Sequence, residues 1–90
     1  MHILVINPNT TASMTQKIGA AAQAAAASGT TIEAVNPAFG PPSIEGYYDE
    51  VFSIPGLLAQ MRAAPEADAY VIACFDDTGL DAARCSPPRR

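Results

Sequence analysis

Large apolar residues fall into three short blocks, Ile3–Ile6, Val51–Met61 and Tyr70–Phe75, set apart by alanine-rich or proline- and glycine-rich stretches. The first block is uniformly apolar rather than alternating. That pattern suits a strand covered on both faces, so a central strand of a parallel sheet is predicted over residues 2–6. Asn7-Pro8-Asn9 ends it, because proline cannot extend a central ladder and asparagine tolerates turn geometry. A helix is predicted from about Ser13 to Ala27, with Ser13-Met-Thr-Gln16 fitting a capping box and Met14, Ile18, Ala21 and Ala25 on one face. Thr10 and Thr11 are expected as caps, and Ser28-Gly29 as the stop.

Thr31–Val35 alternates and is β-rich, the mark of a second strand. Residues 36–48 hold three prolines and two glycines, a connection long enough to serve as a lid or substrate loop. Helical periodicity returns over Asp49–Ala64, with Val51, Ile54, Leu58 and Met61 on one side. Pro55-Gly56 should kink or divide that helix. A third, buried strand is expected at Ala69–Cys74 and a last helix at Gly79–Arg84. The order βαβαβα predicts an α/β fold with a parallel sheet between helical layers, a three-layer αβα arrangement with right-handed crossovers. The final residues, 86–90, break the pattern with two prolines and two arginines. A three-stranded sheet with a barely started last helix is expected to be an incomplete unit.

Composition narrows the function. Hydrophobic residues make up 49% of the chain, yet runs such as Ala20–Ala22 and Ala24–Ala27 supply much of that and bury little area each. The net charge of −4 argues against nucleic acid or an anionic membrane surface as partner. No apolar run approaches the roughly 20 residues of a membrane span. The start, Met1–Ile6 broken at Asn7-Pro8, does not read as a signal peptide. Two cysteines in such a chain point to reduced thiols and a cytoplasmic setting.

Cys74 carries the chemical interest. It closes an apolar strand just before a polar turn and a helix start, where open α/β sheets place their reactive groups. Helix-opening amides there can hold an anion or favour a thiolate, while Asp76 and Asp77 oppose ionisation by their charge. Asp77 or Thr78 is expected as the N-cap of the last helix. Asn7 and Asn9 are turn formers that could also offer neutral hydrogen-bond groups across the crevice. Cys85 lies eleven residues on, at the far side of the helix, and is expected to be structural. His2 sits at the opposite end of its strand. Asp49-Glu50 and Asp76-Asp77 lack histidine partners and ligand spacing, so no metal site is expected.

Three separated segments occur in the right order: Ile3-Leu-Val-Ile-Asn7-Pro8-Asn9-Thr-Thr; Pro37-Ala-Phe-Gly-Pro-Pro with Glu45-Gly-Tyr-Tyr-Asp49; and Ala73-Cys74-Phe-Asp-Asp77 with Gly79-Leu-Asp-Ala-Ala-Arg84. Together they resemble the aspartate/glutamate/hydantoin racemase superfamily, most of all its hydantoin and allantoin racemase branch. The resemblance covers residues 1–85, the N-terminal part of a longer two-lobed racemase fold, and leaves 86–90 as a non-matching tail.

It implies a racemase without cofactor, in which one cysteine thiolate removes the Cα proton of a small carbon acid such as a 5-substituted hydantoin. A second cysteine delivers a proton to the opposite face. Cys74 matches the first cysteine. Asn7 and Asn9 match pocket-bordering positions, and Phe75, Asp76, Asp77 and Thr78 form the segment whose amides would meet the developing enolate oxygen. The full-length relatives are implied to be homo-oligomers. No counterpart of the second cysteine is expected among these 90 residues, so the chain alone is expected to be inactive or nearly so. Alternatives left open are a related amino-acid racemase, maleate isomerase or decarboxylase, and a fragment that is non-catalytic or does not fold.

Overall fold

The computed structural model describes residues 1–86. Its elements run β1 (His2–Ile6), α1 (Ala12–Ala25), β2 (Thr31–Val35), α2 (Tyr47–Ala63), β3 (Ala69–Ile72) and α3 (Leu80–Arg84). The order is βαβαβα, as expected. The three strands form one parallel sheet in the order β2-β1-β3, with Ile6 level with Val35 on one side and Ile72 on the other. The uniformly apolar β1 is the central strand, and Leu4, Val5 and Ile6 are buried.

From β1 the chain crosses to β2 on one side, then passes back over β1 to reach β3. Right-handed crossovers in opposite directions put the two connecting helices on opposite faces. The side chains agree. Leu4 and Ile6 pack with Leu57, Ala64 and Ala67, flanked by Val35, Met61, Tyr70 and Ile72, so this face meets α2. The other face carries Val5 and Ala34 and meets α1, where a Cβ on Gly19 would stand 2.9 Å from the Ala34 Cβ. Glycine lets the alanine-rich helix lie almost on the sheet. That approach turns α1 from the expected face: Thr15 is buried and Ile18 and Ala22 are half-buried, whereas Met14, Ala21 and Ala25 are exposed.

Other expectations change for physical reasons. α1 begins at Ala12, and neither Ser13 nor Thr11 makes a side-chain cap bond. The Thr11 hydroxyl instead donates to the Pro42 carbonyl at 2.7 Å, and the Thr10 amide donates to that of Pro41 at 3.1 Å. The long loop is thus tied to the start of α1. α2 starts at Tyr47, where the Asp49 carboxylate accepts from the Glu45 amide at 3.0 Å and Asp49 and Glu50 complement the helix dipole. Pro55 sits inside α2 without dividing it. Its ring points to the exposed side, where water can serve the carbonyl left without a partner. The buried stripe of α2 is Ser53, Gly56 and Leu57, and Val51 is exposed.

β3 is less covered than predicted. Tyr70 and Ile72 are half-buried and Val71, on the α1 side, is 46% exposed, because α1 lies over β2 rather than over this edge strand. The expected tail falls largely on residues 87–90, outside the described residues. Ser86 ends the last turn by donating its hydroxyl to the Ala83 carbonyl.

Leu57 is fully buried at the centre of the α2 face. Leu57→Ala should lower the unfolding free energy by about 2–5 kcal/mol, read from the midpoint of urea denaturation.

Candidate active site

The strand ends are level at the carboxyl edge of the sheet. The Asn7 amide donates to the Val35 carbonyl at 2.9 Å and the Ala73 amide to the Ile6 carbonyl at 2.8 Å. Asn7, Asn36 and Ala73 therefore follow directly on paired residues. Two of these ends share a sequence, Ile6-Asn7-Pro8 and Val35-Asn36-Pro37, with both prolines fully buried.

Asn7 and Asn9 turn their side chains into the fold. They are 2% and 7% exposed and belong to an internal network. The Asn7 side-chain amide donates to Asn9 Oδ1 at 2.9 Å and Thr15 Oγ1 at 3.1 Å. Asn9 Oδ1 accepts from the Thr11 amide at 2.9 Å, and the Thr15 hydroxyl donates to Asn36 Oδ1 at 2.6 Å. Buried polar groups need partners, and here they supply one another. The network pins the β1 turn to α1 and to the end of β2. Sequence reasoning missed Asn36 and Thr15. The repeated Asn-Pro after two apolar strands was the signal available for Asn36, whereas Thr15 depends on the rotation of α1.

Cys74 stands at the same edge. Its amide turns back onto the Ile72 carbonyl at 3.0 Å, which ends β3 two residues earlier than predicted. The thiol is half-buried and free. It donates to Asp76 Oδ1 at 2.9 Å and lies 3.4 Å from Thr78 Oγ1, while the Thr78 hydroxyl donates to that same Asp76 oxygen at 2.5 Å. Hydrogen bonds from the Cys74 thiol and then the Thr78 hydroxyl hold the Asp76 carboxyl below its ordinary value, with the Thr78 and Asp76 backbone amides adding to the effect.

The turn differs from expectation in its caps and its amides. α3 begins at Leu80 behind Gly79, which has left-handed φ of 75°, and neither Asp77 nor Thr78 caps it. A Cβ on Gly79 would stand 2.5 Å from Leu57 Cδ2, so the turn is seated hard against α2. The Asp77 amide donates to the Cys74 carbonyl, and those of Asp76 and Thr78 are directed at the Asp76 carboxylate. These amides are thus already engaged within the turn. Thr78 is fully buried and reaches the site only through Cys74 and Asp76.

An open cleft of about 240 Å³ lies beside this turn, lined by Ile44, Glu45, Gly46, Tyr47, Glu50, Phe75 and Asp76. Phe75 is fully exposed at its rim. The long loop expected as a substrate loop supplies one wall of this cleft, and the turn after Cys74 supplies the other. Its tyrosine and glutamates were not legible beforehand, because only the approach of α2 to the β3 turn brings them there.

The remaining candidates lie apart. Cys85 is exposed at the end of α3, and His2 pairs with Glu33 at 3.3 Å at the opposite edge of the sheet. Among the described residues no group of acidic, histidine and cysteine side chains could hold a metal ion, and no helix is long and apolar enough to cross a membrane.

Two losses are expected. Thr15→Val strands the Asn36 carbonyl and one Asn7 donor, and should lower stability by roughly 1–3 kcal/mol in urea denaturation. Asp76 binds a proton less readily folded than unfolded. Its contribution is therefore present above the ordinary aspartate value near pH ~3.9 and is lost as pH falls through the lowered folded value. Asp76→Asn should shrink the drop in Tm between neutral and acidic buffer, read by thermal circular dichroism.

The chain belongs to the Asp/Glu/hydantoin racemase family, whose model matches residues 3–88. It is 56% identical over 86 residues to hydantoin racemase of Pseudomonas sp. (strain NS671), covering 93% of this chain and 34% of that protein. It is 54% identical over 86 residues to hydantoin racemase of Rhizobium meliloti, covering 93% of this chain and 36% of that protein. The solved structure of allantoin racemase from Klebsiella pneumoniae superposes with a TM-score of 0.90 at 56% identity, over 93% of this chain and 35% of that one. The chain thus spans about a third of the length of these relatives.

Proposed function

We propose that Cys74 is one of two acid/base groups in a cofactor-independent racemisation of a small carbon acid, a 5-substituted hydantoin or a close relative such as allantoin. The observation that carries this reading is a half-buried thiol at the carboxyl edge of a parallel sheet, beside an open cleft. The likeness to hydantoin and allantoin racemases supports the substrate class. In such a ring the Cα–H bond is acidified by the adjacent carbonyl, so a thiolate is a strong enough base. The Cys74 sulfur takes the Cα proton and the electron pair moves into the carbonyl. A proton from a donor on the other face then re-forms C–H with inverted configuration. Phe75 and Tyr47 supply apolar walls for the substrate, and Asp76 borders it.

Inversion needs a second proton carrier opposite Cys74. Cys85, exposed beyond α3, is not placed for it. The 90-residue chain by itself therefore leaves optical rotation unchanged in this reading, and the whole enzyme takes its second base from elsewhere. That enzyme is a homo-oligomer of the cytoplasm.

A graft tests the role of Cys74. Residues 1–86 replace the matching segment of the Rhizobium meliloti hydantoin racemase, and polarimetry follows an L-5-substituted hydantoin. The graft should racemise it, and the same graft with Cys74→Ser should be slower by roughly 10²-fold or more. Undiminished racemisation after Cys74→Ser would end the assignment, and racemisation by the 90-residue chain alone would end the two-base account.

A further inference from the structure

The Thr78 hydroxyl has one proton and two neighbours that can accept it. As found, that proton goes to Asp76 Oδ1 at 2.5 Å, while the Cys74 thiol directs its own proton at the same oxygen from 2.9 Å. The third side of this triangle, Cys74 Sγ to Thr78 Oγ1, is 3.4 Å, within hydrogen-bond reach for sulfur. One carboxylate oxygen thus accepts two donors, and the third contact is left without a proton of its own.

Ionisation of the thiol removes one of those donors and creates a new acceptor. Left as it stood, the thiolate would face the Asp76 carboxylate with nothing between two negative charges, which is unfavourable. A turn of the Thr78 hydroxyl about its Cβ–Oγ1 bond places its proton on the sulfur instead, and no heavy atom need move. Thr78 is fully buried, and its neighbour Gly79 is wedged against Leu57, so the oxygen is held in position for both partners.

We propose that Thr78 is a positioning residue whose hydroxyl redirects its hydrogen bond from Asp76 to the Cys74 sulfur when that thiol loses its proton. This rests on the reading of Cys74 as a base, and it adds how the thiolate is sustained beside a carboxylate. The proton lost by Cys74 passes to solvent or buffer; Thr78 keeps its own throughout. The other charged groups of the turn and of the neighbouring cleft lining are Asp77, Glu45 and Glu50, all acidic. Carboxylates only accept, whereas the Thr78 hydroxyl, 3.4 Å from the sulfur, can donate to a new negative charge.

Alkylation by iodoacetamide reads this directly, because the thiolate displaces iodide to form the S–C bond and the neutral thiol does not. The 90-residue chain carrying Cys85→Ser, which leaves Cys74 as the only thiol, is alkylated across a pH series alongside Thr78→Val, Thr78→Ser and Asp76→Asn. Circular dichroism verifies that each is folded.

Thr78→Val should be alkylated roughly tenfold more slowly below the midpoint, with its pH profile displaced to higher pH. Thr78→Ser should follow the parent profile, which a merely space-filling role for threonine would not require. Asp76→Asn, a change at an exposed side chain, should speed alkylation, both by removing a like charge and by releasing the hydroxyl to the sulfur; Thr78→Ala, expected to match Thr78→Val, stands in if that variant fails to fold. A Thr78→Val profile equal to the parent's, a Thr78→Ser profile as displaced as that of Thr78→Val, or slower alkylation in Asp76→Asn would each overturn the proposal. These readouts are independent of racemisation, so failure of the hydroxyl to act and failure of Cys74 to act as a racemase base remain distinguishable.

Discussion

Two backbone hydrogen bonds at the carboxyl end of β1, Asn7 to Val35 and Ala73 to Ile6, bring the chemistry of this chain to one level. Parallel pairing in strict register makes three strands stop together, and each then has to turn in its own way. β1 and β2 turn through Asn-Pro, and their asparagines satisfy each other through Thr15. β3 turns through Cys74, whose side chain finds its partners only in the residues that follow it. Two strand ends are thereby sealed with neutral polar groups, and the third is left with a reactive one.

The division of labour follows from which groups are buried. Asn7, Asn9 and Thr15 are enclosed between sheet and helix, where an unpartnered amide would be costly, so they hold the scaffold. Phe75, Asp76 and Tyr47 lie in the open and line the cleft. Cys74 lies between these regimes, half-buried, followed by the cleft-lining Phe75 and Asp76 and backed by the buried Thr78. Asp76 belongs to both. It borders the cleft, and it draws two hydrogen bonds that hold its carboxyl low.

Much of this was legible in the residues because strand periodicity is a local property. The bounds of β1 and β2 agree with the residues read as strands, and the apolar run of β1 correctly indicated a strand covered on both faces. Position at a strand end was also legible for Cys74, since the apolar run stops there. What escaped depends on partners distant in sequence. Gly19 resting on Ala34 rotates α1 and exposes Met14. The expected caps at Ser13, Asp77 and Thr78 failed because Thr11 is drawn to Pro42 and Thr78 to Asp76. The helical piece expected from Pro55 did not separate, because that proline faces outward. The partners of Asn7 and Asn9 also escaped, because hydrogen-bonding capacity is visible in a sequence and its satisfaction is not.

The strand order has a kinetic meaning. β1 is made first, yet its two neighbours come from residues 31–35 and 69–72, and Leu4 must wait for Tyr70 to reach its register. Pairings that far apart are slow to close, and they belong to the class of contacts that delays folding. During synthesis the β3 side of this apolar strand therefore stays uncovered until residues 69–72 have been made.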